Sequence, residues 1–192
     1  MIIDFSPILS YNLRDIPKEV TALKLSNMVH CGICAALMAV CAWIAVPIGG
    51  AVITMQTFAL LFTLSYLGGG KGTVSCIIYL LLGLVGLPVF SGFQGGFGVF
   101  LGPTGGYLMG FLLGSLSYRL LEKHLPTVAN MCITLLISYL CGTGWYYYMY
   151  TQNGLWPILL QTLLPCVLPD TAKIFLAITL QKRLKKSNKK TH

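Results

Sequence analysis

Long apolar runs, broken by glycine, proline or single charges, constrain the fold of this chain more than any other feature. Only 9% of its 192 residues are charged, and 56% are hydrophobic. A soluble domain carries roughly 25% charged residues. Most of the molecular surface is therefore expected to avoid water, and the sequence predicts one compact domain embedded in a lipid bilayer.

Six of these runs predict an all-α integral membrane protein with six transmembrane helices, because a span needs roughly 17–25 residues. The runs lie at 27–46, 51–67, 73–90, 104–121, 128–149 and 157–181. The second and third are short, so a re-entrant segment is the alternative for one of them. Prolines interrupt the last run, and proline clashes with the helical turn before it. We therefore expect an irregular or bent piece up to Pro169 and a regular helix beyond it.

The distribution of basic residues predicts the orientation of the domain. If the N-terminus is cytoplasmic, the cytoplasmic segments hold every one of the 13 basic residues except Lys173. Lysine and arginine near span ends are retained on the cytoplasmic side, so both termini are predicted to be cytoplasmic. We divide the chain into a cytoplasmic or interfacial segment (1–26), a six-helix membrane domain (27–184) and a basic cytoplasmic tail (185–192). The tail is expected to lie on anionic lipid, and no nucleic-acid partner is expected.

The stretch LPDTAKIFLA, residues 168–177, places Asp170 and Lys173 in apolar surroundings. If the last helix emerges from the membrane near Lys182, the two residues lie about 18 and 13 Å deep at 1.5 Å per residue. A charge at that depth costs at least about 2.5–3.5 kcal/mol. Their spacing of three residues puts both side chains on one face of the helix.

Three interpretations of this pair stay open. In the first, Asp170 caps a helix that begins after Pro169 and Lys173 pairs with it, since acids favour the first turn of a helix. In the second, the pair forms a polar site for a small molecule that enters from outside. In the third, the pair relays protons. Charged residues inside membranes usually face a cavity, which favours the second interpretation.

A glycine-rich stretch at 86–110 is predicted to form an outer loop between helices 3 and 4, on the same side as Asp170. Glycine permits positive φ and close approach of the backbone. The glycines near the tip of this loop are Gly92, Gly95, Gly96 and Gly98. Gln94 carries an amide that both donates and accepts hydrogen bonds. Because the loop also holds several phenylalanines, which favour burial, we expect a lid over a pocket; a flexible connector is the alternative.

Motifs for nucleotide, metal and covalent chemistry are incomplete. In GGGKGT at 68–73, Lys71 is followed by glycine and not by serine or threonine, so this is no phosphate loop and no ATP hydrolysis is expected. HCGIC at 30–34 has no second CxxC motif, so no metal site is predicted. No nucleophile and base come together, and His30 and His124 both fall on the inner side. We therefore expect neither an enzyme nor a bound cofactor.

Small residues recur at helical spacing in the first predicted span. Gly32 is spaced with Ala36, and Ala35 with Ala39. Such faces let membrane helices approach closely. Both a contact within the protein and a contact with a partner membrane protein stay open.

Several stretches together resemble the biotin-specific substrate-binding subunit of energy-coupling-factor transporters. They are GLPVFSGFQGGFGVFLGPTGGYLMGF at 86–111, MQTF at 55–58, and the pattern PD-x-x-K that contains Asp170 and Lys173. The resemblance runs from about residue 27 to residue 186. The loop that ends in GPTGGY carries most of its specificity.

The resemblance implies a multi-pass protein of the cell membrane that captures biotin from outside. It implies partners as well: a coupling membrane subunit and two cytoplasmic ATPases. The ligand-binding residues expected from it are Gln94, Asp170, Lys173, Gln56 and Tyr107. The small residues of the first span resemble the surface that docks the coupling subunit. A subunit for another vitamin and a stand-alone proton-coupled carrier are the alternatives.

Overall fold

The computed structural model describes residues 18–48, 51–150 and 164–188. These residues form seven α-helices, a β-hairpin and a short 3-10 turn at Ser91–Phe93. The helices are α1 (Lys18–Trp43), α2 (Gln56–Leu67), α3 (Gly69–Leu84), α4 (Phe97–Leu101), α5 (Gly105–Leu121), α6 (Thr127–Tyr150) and α7 (Leu164–Asn188). The hairpin pairs β1 (Ala45–Ile48) with β2 (Ala51–Thr54) in antiparallel register.

The hairpin corrects the prediction that the chain is all-α. The first two predicted spans ran to residue 46 and began again at 51, whereas 45–48 and 51–54 are paired strands. Valine and isoleucine favour a pleated, half-buried surface. Pro47 is tolerated because both strands of a two-stranded sheet are edge strands, where a missing N–H donor costs little.

The six longer helices lie within or close to the six predicted spans. Two of them contain stretches that are long and apolar enough to cross a membrane by length and composition, Leu25–Trp43 in α1 and Thr127–Met149 in α6. Helices α2 and α3 are apolar but shorter. α1 begins by Lys18, before the predicted boundary at residue 27, and residues 1–17 lie outside the described part of the chain.

α7 begins earlier than the sequence predicted. The described chain is already helical at Leu164, so Pro169 lies inside the helix and the expected irregular piece up to Pro169 is wrong for residues 164–169. A proline at this position of the helix removes one hydrogen bond, the one to the carbonyl of residue 165. The rest of the predicted last span, 157–163, is outside the described residues, as is 189–192 of the predicted tail.

α2 is the central helix of the described structure. It packs against α1, α3 and α7, and it is buried along most of its length, including polar residues such as Thr63 and Ser65. A helix that is apolar all round belongs in an interior. It has only 12 residues, fewer than the roughly 17–25 that a span needs.

A seam of glycines joins α5 to α6. A Cβ atom added at Gly106 would lie 2.2 Å from Cβ of Trp145, and one at Gly110 would lie 2.7 Å from Cα of Ser138. A Cβ atom added at Gly114 would lie 2.9 Å from the carbonyl oxygen of residue 134. These three glycines follow one another at intervals of four residues, which is the pattern by which membrane helices approach closely.

The small residues of α1 divide between two faces. Ala35 and Ala39 are buried in the core. Gly32 and Ala36 are exposed, and a Cβ atom at Gly32 would meet nothing within 4 Å. Of these four small residues, Gly32 and Ala36 are therefore the two that are open to a partner.

Candidate functional site

A cavity of about 820 Å³, including its open mouth, lies between the hairpin and helices α2, α5, α6 and α7. It is lined by Val52, Ile53, Thr54, Thr57, Pro103, Thr104, Tyr107, Phe111, Ser138, Tyr139, Tyr146, Cys166, Asp170 and Lys173. Most of these side chains are apolar or aromatic, and the charged ones are the acid and the amine of α7.

Asp170 and Lys173 form a buried ion pair on the wall of this cavity. Nζ of Lys173 lies 2.6 Å from Oδ1 of Asp170, one helical turn away. The two residues are only 3% and 6% exposed. Removing one partner of such a pair leaves an uncompensated charge and costs about 3–5 kcal/mol. The two residues therefore depend on each other.

Lys173 uses its three N–H donors within the protein. Besides Asp170, its ammonium group donates to the carbonyl oxygen of Thr54 at 2.6 Å and to Oγ1 of Thr57 at 3.0 Å. Thr54 is the last residue of β2 and Thr57 lies in the first turn of α2. The amine thus ties the end of the hairpin and the start of the central helix to α7.

Asp170 accepts hydrogen bonds at both carboxylate oxygens. Oγ1 of Thr57 donates to Oδ1 at 2.9 Å, and the hydroxyl of Tyr139 on α6 donates to Oδ2. An ionised carboxylate offers about four acceptor positions, so the group keeps capacity for a further donor. Residues from three helices and one strand thereby converge on a single pair of charges.

This geometry removes the capping interpretation of the pair. Asp170 lies six residues after Leu164, where α7 begins, and so is not at the helix N-terminus. Both charges border the cavity while protein groups satisfy them. An acceptor and a donor side by side, with apolar walls around them, suit a small ligand that carries both N–H and C=O groups.

The glycine-rich loop is packed onto the protein at its base. Phe90 is buried and its ring fills the place where a Cβ atom of Gly83 would stand, 1.9 Å from Cζ. The ring also meets Tyr79 and Phe100 edge to face, at 5.5 and 5.6 Å between centroids. Aromatic burial of this kind argues against a flexible connector, and the role of the loop as a lid stays a prediction.

A second anchor holds the tip of the loop to the end of α1. Nε1 of Trp43 donates to the carbonyl oxygen of Pro88 at 2.8 Å, and its ring stacks on Phe93 at 5.0 Å. Gly92 and Gly96 have φ of 71° and 92°, which other residues rarely adopt. Gly95 has no room for a side chain, since a Cβ would lie 2.2 Å from the carbonyl oxygen of residue 87; the same position at Gly98 is open.

The two predicted glutamines do not line the cavity. Gln94 is exposed and borders a separate shallow depression with Gly95 and Gly98. The two hollows meet at Pro103 and Thr104, which line both. Closure of the loop would have to bring Gln94 towards the cavity for it to reach a ligand there.

Gln56 is buried in a structural hydrogen-bond chain. Its Nε2 donates to the hydroxyl of Tyr79 at 2.8 Å, which donates to the carbonyl oxygen of Val89 at 3.2 Å. This chain joins α2 to α3 and to the base of the glycine-rich loop. Tyr107, the remaining predicted ligand residue, lines the cavity beside the Asp170–Lys173 pair.

Sequence reasoning missed Thr54, Thr57 and Tyr139. Thr57 lies within the MQTF stretch, which carried part of the resemblance, and so left a usable signal. Tyr139 stands in an apolar run with nothing nearby to distinguish it. Among the described residues, no group of three or more His, Cys, Asp or Glu side chains is placed to hold a metal ion.

Known proteins resemble this chain along most of its length. The pattern of the BioY family matches residues 16–190. A protein of Thermotoga maritima named biotin transporter BioY is 42% identical over 105 residues, which is 55% of this chain and 62% of that relative. A protein of Pyrococcus horikoshii named probable biotin transporter BioY is 34% identical over 149 residues, which is 78% of this chain and 90% of that relative.

A solved structure shares the fold. The crystal structure of the S-component for biotin from an ECF-type ABC transporter matches with a TM-score of 0.77. The match covers 86% of this chain and 93% of that chain, with 24% of residues identical. At this level of identity, the likeness shows the arrangement of the helices and does not identify a ligand.

Proposed function

The chain belongs to the BioY family, and from this premise we propose that it is the biotin-binding subunit of an energy-coupling-factor transporter. The relatives are named biotin transporters, and the solved structure with the same fold is the S-component for biotin. The protein is a transport subunit of the membrane and not an enzyme. Biotin is its cargo, and no cofactor is required.

The observation that carries this function is the Asp170–Lys173 pair on the wall of the cavity. The ureido group of biotin has two N–H donors and one C=O acceptor. A carboxylate oxygen of Asp170 can accept from an N–H, because that group retains acceptor capacity. Lys173 can donate to the ligand's carbonyl if it gives up the carbonyl of Thr54, which is the same kind of acceptor.

The apolar walls suit the rest of the ligand. The thiophane ring and the valeryl chain of biotin need a surface of aromatic and aliphatic side chains. Tyr107 and Phe111 of α5, together with Val52 and Ile53 of β2, supply one next to the charged pair. One cavity therefore offers both hydrogen-bonding groups for the ureido ring and an apolar surface for the rest of biotin.

We further propose that the domain crosses the cell membrane six times with both termini in the cytoplasm. The distribution of lysine and arginine supports this orientation. It places the cavity mouth and the glycine-rich loop on the outer side. In this arrangement Gly92, Gly95, Gly96 and Gly98 belong to a lid, and its closure brings Gln94 over the ligand.

Transport requires an energy source outside this chain. We propose a coupling membrane subunit and two cytoplasmic ATPases as partners, which the family and the ECF-type structure support. On α1 the exposed residues Gly32 and Ala36 offer a surface for the coupling subunit, and small residues there allow close helix contact. Ala35 and Ala39 are buried in the core and are not available to such a partner.

Titration calorimetry of the purified chain in detergent tests the ligand and the site together. Biotin should bind, while thiamine and riboflavin should not compete. Asp170→Asn and Lys173→Ala should each weaken biotin binding by at least tenfold, which is about 1.4 kcal/mol. Thr171→Ala is the matched control, because Thr171 is on the same helix but is exposed and bonds only to its own backbone turn. Unchanged affinity in both site variants would remove the proposed site.

A further inference from the structure

A basic groove lies at the far end of α6 and α7 from the ligand cavity. It occupies about 1,000 Å³, including its open side, between the first turn of α6 and the last turns of α7. Its lining consists of Thr127, Val128, Ile178, Gln181, Lys182, Lys185 and Lys186. Lys182 follows Lys173 by nine residues, or about 13 Å along the helix axis. The groove is therefore separate from the biotin site.

The lysines of this groove have no acidic partner in the described part of the chain. Within residues 18–48, 51–150 and 164–188, Asp170 and Lys173 form the one ion pair with a distance below 4.0 Å, and neither residue belongs to the groove. Lys185 donates to the carbonyl oxygen of Ser65 at 3.3 Å, and Gln181 donates to the same oxygen at 2.7 Å. These bonds fix one wall, while Lys182 and Lys186 remain exposed beside it. The positive charges of these lysines repel one another, and an anion bound between them would offset this repulsion.

The start of α6 adds to the positive potential. The N–H groups of a first helical turn have no partner within the helix, and the N-terminal end carries about half a positive charge. Thr127 and Val128, the first two residues of α6, both line the groove. The positive end of the α6 dipole therefore lies beside the lysines of the groove.

The surroundings of the groove are apolar. Val128 is 49% exposed and Leu184 is 41% exposed. Farther along the same two helices, Leu136 and Leu140 of α6 and Phe175 of α7 are also exposed. An occupant that joins an anionic head to hydrocarbon chains would satisfy both the lysines and this apolar surface.

We propose that the groove binds the phosphate of an anionic phospholipid, with its acyl chains along α6 and α7. Lysines next to a membrane surface attract acidic lipids by about 1 kcal/mol each. The proposal rests on the membrane location of the chain and not on its ligand, so a failure to bind biotin would leave it intact. It assigns to this end of α7 a specific lipid site and not only diffuse attraction by a basic tail.

Lipid retention by the full chain tests this site. The protein is purified from membranes that contain phosphatidylglycerol and phosphatidylcholine, and bound lipid is measured by native mass spectrometry. Lys182→Gln/Lys186→Gln should lose bound phosphatidylglycerol at least about fivefold, roughly the effect of 1 kcal/mol. Arg183→Gln/Lys123→Gln removes the same charge from exposed residues that do not line the groove, and it should change retention less than about twofold.

Two further arms separate the proposal from its rivals. Lys182→Arg/Lys186→Arg keeps the charge and should retain the lipid. Glycerophosphate, which has the phosphate but no acyl chains, should not displace it. Equal loss in the two glutamine double variants would show diffuse charge attraction and overturn the site. Equal retention of phosphatidylcholine, displacement by glycerophosphate, or loss in the arginine variant would each contradict it as well.

Discussion

The two ends of α7 use lysine in opposite ways. Lys173 is buried beside the cavity, and all of its donors are engaged by Asp170, Thr54 and Thr57. Lys182, at the other end, is exposed and borders an open groove. A buried charge is tolerated only when it is paired and hydrogen-bonded, whereas an exposed charge is stabilised by water and is free to meet a counter-ion. Lys173 is therefore held in place by protein groups at the wall of the cavity, and Lys182 is available for an external partner.

The largest expected difference is in stability. Lys173→Met should lower the free energy of unfolding by about 3–5 kcal/mol, because Asp170 is left buried without its counter-charge. Lys182→Met should change it by less than about 0.5 kcal/mol. Thermal unfolding of both variants in the same detergent measures the contrast. The double variant Asp170→Asn/Lys173→Met should recover part of the loss, and equal losses at Lys173 and Lys182 would contradict the comparison.

Tyr139→Phe should have the next largest effect at the cavity end. It removes the hydroxyl that donates to Oδ2 of Asp170, and a hydrogen bond to a charged group contributes about 1.5–3 kcal/mol. Unfolding by heat or denaturant in detergent checks this loss. Tyr148→Phe is the control, since Tyr148 lies on the same helix and is 83% exposed. In an Asp170→Asn background the Tyr139 substitution should cost less; an undiminished cost there would show that the hydroxyl acts elsewhere.

The glycine seam between α5 and α6 is expected to matter for both stability and ligand binding. Gly110→Ala should destabilise the protein by about 1–3 kcal/mol, because the new methyl group meets the backbone of α6 and overpacks the contact. The same shift should weaken biotin binding, since α5 and α6 both line the cavity. Gly32→Ala is the matched control, with nothing within 4 Å of its new methyl group. Equal melting temperatures for the two variants would show that the close approach of α5 and α6 does not matter.

The smallest effect on the fold is expected at the groove. Lys182→Gln/Lys186→Gln should leave the free energy of unfolding within about 0.5 kcal/mol of the parent. Biotin affinity in calorimetry should change less than about twofold, because the cavity lies roughly 13 Å or more away along α7. A strong loss of biotin binding in this variant would mean that the two ends of the helix are coupled and not independent.

Much of the helical framework could be predicted from the sequence. α5 and α6 fall within one residue of the spans predicted at 104–121 and 128–149, because glycine, proline or charge bounds their apolar runs. The family inferred from the resemblance is confirmed by the match over residues 16–190. The strand pair of 45–48 and 51–54 was missed because a short apolar run does not distinguish a strand from a helix.

The candidate site was predictable only where its residues are close in sequence. Asp170 and Lys173 share a helix face by their spacing alone, and the structure places both on the cavity wall. Thr57 is 113 residues from Asp170, so only the tertiary fold brings them together. Gln56 shows the converse: its side chain looked suitable for a ligand, but Tyr79 on the neighbouring helix engages it inside the core.

The most direct test of the central claim, that the cavity beside Asp170 and Lys173 holds biotin, is ligand protection of Cys166. This thiol lines the cavity and is partly exposed, whereas Cys132 is exposed and does not line it. N-ethylmaleimide modification of each cysteine can be followed by mass spectrometry with and without biotin. At a biotin concentration about 100 times its Kd, modification of Cys166 should slow at least about tenfold, since few sites remain empty, while Cys132 should react at an unchanged rate. Binding of biotin with no protection of Cys166 would place the ligand elsewhere and contradict the account.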